Sequence, residues 1–128
     1  MKGPRKDIDM TFLQGKELHH ICIGLHVIQL HFNENVGISI QKRVTHLRKG
    51  KVSVWERDKP PLFARGLLTL LGSSIIKVSS KTALILKFSN KDTVTIYEAY
   101  DVWHNNQLFA VRYRVIRGEK IEAKNYQL

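Results

Sequence analysis

Acidic residues, cysteine, long apolar runs and catalytic signatures are all scarce in this sequence, and each scarcity excludes something. One cysteine, Cys22, in 128 residues leaves no internal disulfide to form and fits a reducing compartment. No run approaches the roughly 18 apolar residues that a membrane helix needs. The opening MKGPRKDIDMTF has no apolar stretch ahead of its acids, so it does not read as a secretion signal. The expectation is a soluble, cytoplasmic chain with no membrane partner. There is no G-x-x-x-x-G-K-[ST] loop, no G-x-S-x-G, no H-E-x-x-H and no C-x-x-C, so the chain reads as a non-enzyme without cofactor or metal.

Eleven acids stand against 21 lysines and arginines, a formal net charge of +10. That imbalance implies a polyanionic or acidic partner. The charge is concentrated. Residues 42–59, KRVTHLRKGKVSVWERDK, carry seven cations and two acids, and residues 112–124, RYRVIRGEKIEAK, carry five and two.

What is present is an ordinary globular composition, 43% apolar and 25% charged. A chain of this length buries roughly two thirds of its unfolded surface, enough for one core. It also repeats itself. Setting LQGKELHHICIGLHVIQLHFNENVGISI (13–40) against LLGSSIIKVSSKTALILKFSNKDTVTI (70–96) aligns Gly15 with Gly72 and Ile21 with Val78. Ile28, Leu30 and Phe32 then fall on Leu84, Leu86 and Phe88, and Ile38 and Ile40 on Val94 and Ile96. The chain therefore reads as a single domain, 1–128, built by internal duplication of about 13–57 and 70–117.

Apolar residues alternate in each unit, as half-buried strands require. Pairing Ile21 with Leu30 and Ile23 with Ile28 sets inward residues opposite each other in an antiparallel hairpin, and Val78 pairs with Leu86 by the same logic. A third strand follows each polar turn. A fourth follows RKGK (Val52, Val54) and HNNQ (Phe109, Val111, Tyr113, Val115), with Lys49-Gly50 and Asn105-Asn106 at the bends. PPLFARGLLTLLG (60–72) predicts a short helix with prolines at its start and Gly72 at its stop. Gly66 inside it costs about 1 kcal/mol relative to alanine. Residues 7–14 predict a shorter helical turn capped by Asp7 or Asp9. The predicted fold is mainly β (α+β): two similar antiparallel meanders of three to four strands, each preceded by a short helix, sharing one core.

Four of the six histidines and the lone cysteine lie in HHICIGLHVIQLHF, residues 19–32. The predicted pairing puts His20 opposite His31 on the outer face, with Cys22 beside them, a set that could ligate zinc or copper. The matching residues of the second unit are Lys77 and Lys87. The face therefore reads as a solvated cationic strand surface, and His19, by parity inward, as a hydrogen-bonded imidazole at a strand's start.

Three further constellations stand out. Arg112 and Arg114 share the outer face of a predicted strand, with Arg117 on the following turn. They would grip phosphates or carboxylates, or protect an exposed edge. Trp55 lies among Arg43, Arg48, Lys49 and Lys51, a mixture used both for stacking single-stranded bases and for protein interfaces, unless the indole packs at the core's edge. YEAYDVWHNN (97–106) places Glu98, Asp101 and His104 near one another without a nucleophile, and reads as a strand exit.

One pattern resembles a known group. Leu13 with Gly15, Cys22-Ile23-Gly24, Gln29-Leu30 with Phe32, Leu70 to Gly72, Phe88 to Ile96, and Tyr97-Glu98 with Tyr100 are similar to a set of small bacterial two-repeat β proteins. The match covers roughly 13–103 and departs at Lys91-Asp92, where Asp-Gly is expected. Proteins of this type resemble the immunity partners of bacterial polymorphic and contact-dependent toxins. That resemblance implies a cytoplasmic immunity or inhibitor protein that neutralises a cognate toxin domain by protein–protein contact. The alternative is a nucleic-acid-binding module using the same basic and aromatic patches. In both, the candidate contacts are Arg43, Arg48, Lys49, Lys51, Trp55, Arg112, Arg114 and Arg117. For the immunity reading the basic surface calls for an acidic protein partner.

Overall fold

The structure is a computed structural model and describes residues 9–59, 64–80, 83–104, 107–114 and 120–127. It is mainly β, with two antiparallel sheets and very little helix. Strands β1 (Leu18–Ile23), β2 (Ile28–Phe32) and β3 (Val36–Ile40) form a meander, and β4 (Arg43–Arg48) with β5 (Lys51–Glu56) a hairpin. A second meander follows, β6 (Ile75–Ser79), β7 (Leu84–Phe88) and β8 (Thr93–Tyr97), and then β9 (Tyr100–His104), β10 (Gln107–Arg114) and β11 (Lys120–Gln127).

The strands are not grouped as they come in the chain. One sheet has the order β1-β2-β3-β9-β10-β11 and the other β5-β4-β8-β7-β6. Each meander therefore sends its following hairpin into the opposite sheet, β3 pairing with β9 and β4 with β8. Two strands here escape the sequence pattern. Arg43–Arg48 and Tyr100–His104 are both central strands, and the segment 97–106, read as a strand exit, contains β9.

The register of the two meanders is the one that alternation predicts. Ile21 faces Leu30, Ile23 faces Ile28 and His20 faces His31; Val78 faces Leu86 and Lys77 faces Lys87. His19 departs from its expected inward parity because the β1–β2 register shifts between Leu18 and His20. The irregularity keeps Leu18 in the core and turns His19 outward, 3.5 Å from Glu17.

Where the two meanders begin, they exchange backbone hydrogen bonds. The Gly15 N–H donates to the Ile75 carbonyl (2.7 Å) and the Gly72 N–H to the Leu18 carbonyl (2.8 Å). Leu18 donates to Ser73 and Ile75 to Lys16, each at 3.0 Å, around a bridge between Glu17 and Ser74. A short helical turn enters each meander: a 3-10 turn at Thr11–Leu13, and α1 (Ala64–Leu67) running into a 3-10 turn at Leu68–Leu70. The helix expected over 60–72 is thus divided, and Pro60 and Pro61 lie outside the described residues, as does Asp7. Asp9 accepts from the Thr11 hydroxyl (2.6 Å) and N–H (3.0 Å), and these bonds hold its carboxyl below the usual range.

One apolar cluster draws on both sheets. Ile28, Leu30, Phe32, Ile38, Ile40 and Val102 come from the first, and Val44, Trp55, Leu84, Leu86, Phe88 and Ile96 from the second. The clean period of two in β2 and β7 follows from having only one face in that core. Strand β3 differs, because all five of its residues are buried. Its outer face is roofed by Trp103, which is paired across from Gly37. A β-carbon at position 37 would fall inside the Trp103 ring, so glycine is there to let the indole lie on the backbone.

Gly37→Ala should therefore destabilise the protein by about 1–3 kcal/mol, the usual cost of overpacking. Urea denaturation followed by tryptophan fluorescence would measure it, with a native spectrum changed by displacement of Trp103.

Candidate functional site

The β4–β5 hairpin closes through Lys49 and Gly50, both at positive φ (51° and 81°). That is a two-residue type I′ turn, whose twist matches the strands it joins. The pairs Val44–Trp55, His46–Ser53 and Arg48–Lys51 alternate with Thr45–Val54 and Leu47–Val52. Side chains of directly opposed residues share a face, so the hairpin has two unlike surfaces.

The inner surface grades from apolar to cationic. At its base Val44 and Trp55 are in the core, Trp55 only 1% exposed. Next come His46 and Ser53, and at the tip Arg48 and Lys51. Beneath the tip lies a cavity of about 360 Å³ lined by His46, Arg48, Lys49, Lys51, Ser53 and Gly66 of α1. Among the described residues none of the three cations is ion-paired.

His46 forms the back of this cavity and is held by a buried carboxylate. Its Nε2 lies 2.7 Å from Asp92 Oδ2, with the side chains 2% and 6% exposed. Asp92 accepts the bond, which assigns the proton to Nε2. Asp92 is placed by the β7–β8 turn. Its N–H donates to Asn90 Oδ1 (2.9 Å), its carbonyl accepts from Phe88 (2.9 Å), and Lys91 takes φ of 79°. The other ring edge of His46 faces α1. A β-carbon on Gly66 would lie 3.7 Å from Nδ1 and 3.9 Å from Cε1.

The outer surface is apolar. Leu47, Val52 and Val54 are 42%, 62% and 50% exposed and sit together on the edge strand β5 and its neighbour β4. Val52 and Val54, which marked the strand in the sequence, point outward, and Ser53 and Trp55 take the inner face.

The candidate contacts are thus divided. Arg48, Lys49 and Lys51 converge on the cavity. Arg43 lies at the other end of β4, its guanidinium 4.2 Å from the centre of the Tyr97 ring. It lines a separate cavity of about 260 Å³ with Lys42, Arg57, Glu56, Asp58 and Glu98, where the charges are mixed. Trp55 is core and offers no face for stacking. Arg112 and Arg114 lie on β10 with only their backbones described, opposite Glu122 and Lys120, and Arg117 lies outside the described residues. His46, Asp92, Ser53 and Gly66 complete the site and were missed. Asp101 and His104, spaced three apart, are not brought together: Asp101 accepts from Gln41 (2.6 Å), while His104 stacks on Phe12 at 4.2 Å.

On the other sheet a row of rings crosses the outer face. His20 and His31 meet edge-on at 5.5 Å and His31 lies 5.4 Å from Trp103. His31 Nε2 is 3.3 Å from Gln29 Oε1, and Cys22 is exposed nearby. Among the described residues no three metal-capable side chains cluster. No helix among them is long and apolar enough to cross a membrane. Partial burial, and then the neighbouring His20, hold His31 below the ordinary histidine value of 6.5.

No protein-family model, curated protein or solved structure matches the chain.

Two outcomes are expected. Asp92→Ala leaves a buried imidazole unpartnered and should cost about 3 kcal/mol in urea denaturation. Replacing both partners, as His46→Val/Asp92→Val, should recover much of that loss. For His31, a lowered folded pKa means that the unfolded chain takes up a proton first. Its contribution is therefore complete above pH 6.5 and is lost as pH falls from there through the folded midpoint. His31→Gln should remove that part of the slope of stability against pH, and NMR titration of the ring should give a midpoint below 6.5.

Proposed function

We propose that the chain is a binding protein, an immunity or inhibitor protein of the cytosol, that captures an acidic surface of a cognate toxin domain with the β4–β5 hairpin. The observation that carries this reading is the hairpin's outer face. Leu47, Val52 and Val54 form a contiguous exposed apolar patch, bordered at the tip by Arg48, Lys49 and Lys51. An apolar centre with a charged rim is the anatomy of a protein interface, and exposed patches of this kind mark docking sites. The cations would steer an acidic partner toward the patch and fix its register. Nucleic-acid binding through the same segment loses support, because Trp55, the aromatic it relied on, is buried.

We infer also that the two halves descend from one duplicated unit, each entered by a short helical turn. The reciprocal bonds at Gly15 and Gly72, the matching register shifts in β1 and β6, and the equivalent crossings of β3–β9 and β8–β4 support this.

A tagged pull-down from cells, with and without nuclease, tests the function. One protein partner should survive nuclease and high salt, and Leu47→Ser/Val52→Ser should weaken it by about tenfold or more, as loss of central apolar contacts does. Recovery of nucleic acid instead, with affinity falling about 0.7–0.9 log units per log unit of salt for each phosphate contacted, would overturn the proposal.

A further inference from the structure

We propose that the cavity beneath the hairpin tip binds the phosphoryl group of a small phosphomonoester, with Arg48, Lys49, Lys51 and Ser53 as its donors in front of His46. This site is on the opposite face of the hairpin from the apolar patch; the two share the tip cations Arg48, Lys49 and Lys51 but not Leu47, Val52 or Val54.

The first reason is that the fold does not need the buried pair. The β3–β9 crossing pairs Ile38 with Val102 where the β8–β4 crossing pairs Val94 with His46. Counting along the same strands, Asp92 stands where the first meander has Val36. Val36 and Val102 are buried apolar residues, so valines fill these places elsewhere in the same architecture. A buried ion-pairing couple is seldom more stable than apolar residues of similar size. The pair stands on the one side where a cavity lies in front of the imidazole.

The second reason is charge. Arg48, Lys49 and Lys51 are not ion-paired with any described acid and line about 360 Å³ of space. A phosphomonoester carries about −1.5 to −2 at neutral pH and offers three strong acceptor oxygens. A carboxylate, with one charge and two oxygens, would leave most of the donors unused. Arginine and lysine side chains form their strongest hydrogen bonds to such oxyanions, and the Ser53 hydroxyl adds a neutral donor opposite His46. The third reason is space. Gly66 faces the His46 ring edge with no side chain, and a longer residue there would fill the cavity in front of Nδ1.

The test is an NMR titration of the full chain with inorganic phosphate at constant ionic strength and pH above 7, following the His46 ring and the Gly66 amide, with acetate in parallel. Saturable shifts are expected with phosphate, and acetate should bind at least about tenfold more weakly. Arg48→Ala/Lys51→Ala, both at an exposed tip, should weaken phosphate by at least about tenfold. Gly66→Leu should abolish the His46 shift, while Leu47→Ser/Val52→Ser should leave it unchanged. Non-saturating shifts, equal response to acetate and phosphate, or undiminished binding in Arg48→Ala/Lys51→Ala would each overturn the proposal.

Discussion

The pairing of each meander with the other half's hairpin is the constraint on which the structure rests. Strand β3 finds its second neighbour in β9 and β8 finds its own in β4. The crossings are fastened by the Gln41 N–H on the Ala99 carbonyl (3.1 Å) and by Gln41 Nε2 on Asp101 (2.6 Å). Because the sheets are interlocked in this way, the hairpin that follows the first meander is carried to the edge of the second sheet. The site then draws on both halves: His46, Arg48, Lys49, Lys51 and Ser53 line the cavity from the first half, Gly66 lines it from α1, and Asp92 of the second half holds His46.

The meanders were legible in the sequence because each strand has a single face in the core, and a period of two is hard to mistake there. Their registers followed from the same pattern, down to His20 against His31 and Lys77 against Lys87. Strand β4 was illegible for a physical reason. In RVTHLR the inward positions are Val44, His46 and Arg48, and only the first is apolar, since His46 is admitted to the interior by Asp92 and Arg48 overhangs it. Polarity on both faces erases the alternation. Strand β9 is hidden in a similar way by Asp101 and His104, one bonded to Gln41 and the other stacked on Phe12.

Of the site, the three cations at the tip were visible as a charge cluster, but the groups behind them were not. Asp92 is 46 residues from His46, and only the sheet crossing brings them together. Trp55 was left open between a contact residue and the core's edge because composition around it is basic, and composition does not report which way a side chain points. Its pairing with Val44 does. The same scaffold thus presents two different outer surfaces. One carries His20, His31 and Trp103, and the other Lys77, Lys87, Thr93, Leu47 and Val52 in the corresponding row.

The interlocked sheets also set the order in which this protein can come into being. On a ribosome, β1 to β3 can meet as soon as they emerge, but β3 has no second neighbour until Tyr100–His104 has been made, some sixty residues later. Until then an almost wholly apolar strand stands at an open edge beside a cationic hairpin. Contacts this distant in sequence are slow to form, and unpaired strand edges are where nascent chains aggregate. Over that interval the positive charge of the β4–β5 tip, Arg48, Lys49 and Lys51, sets neighbouring unfinished chains in mutual repulsion.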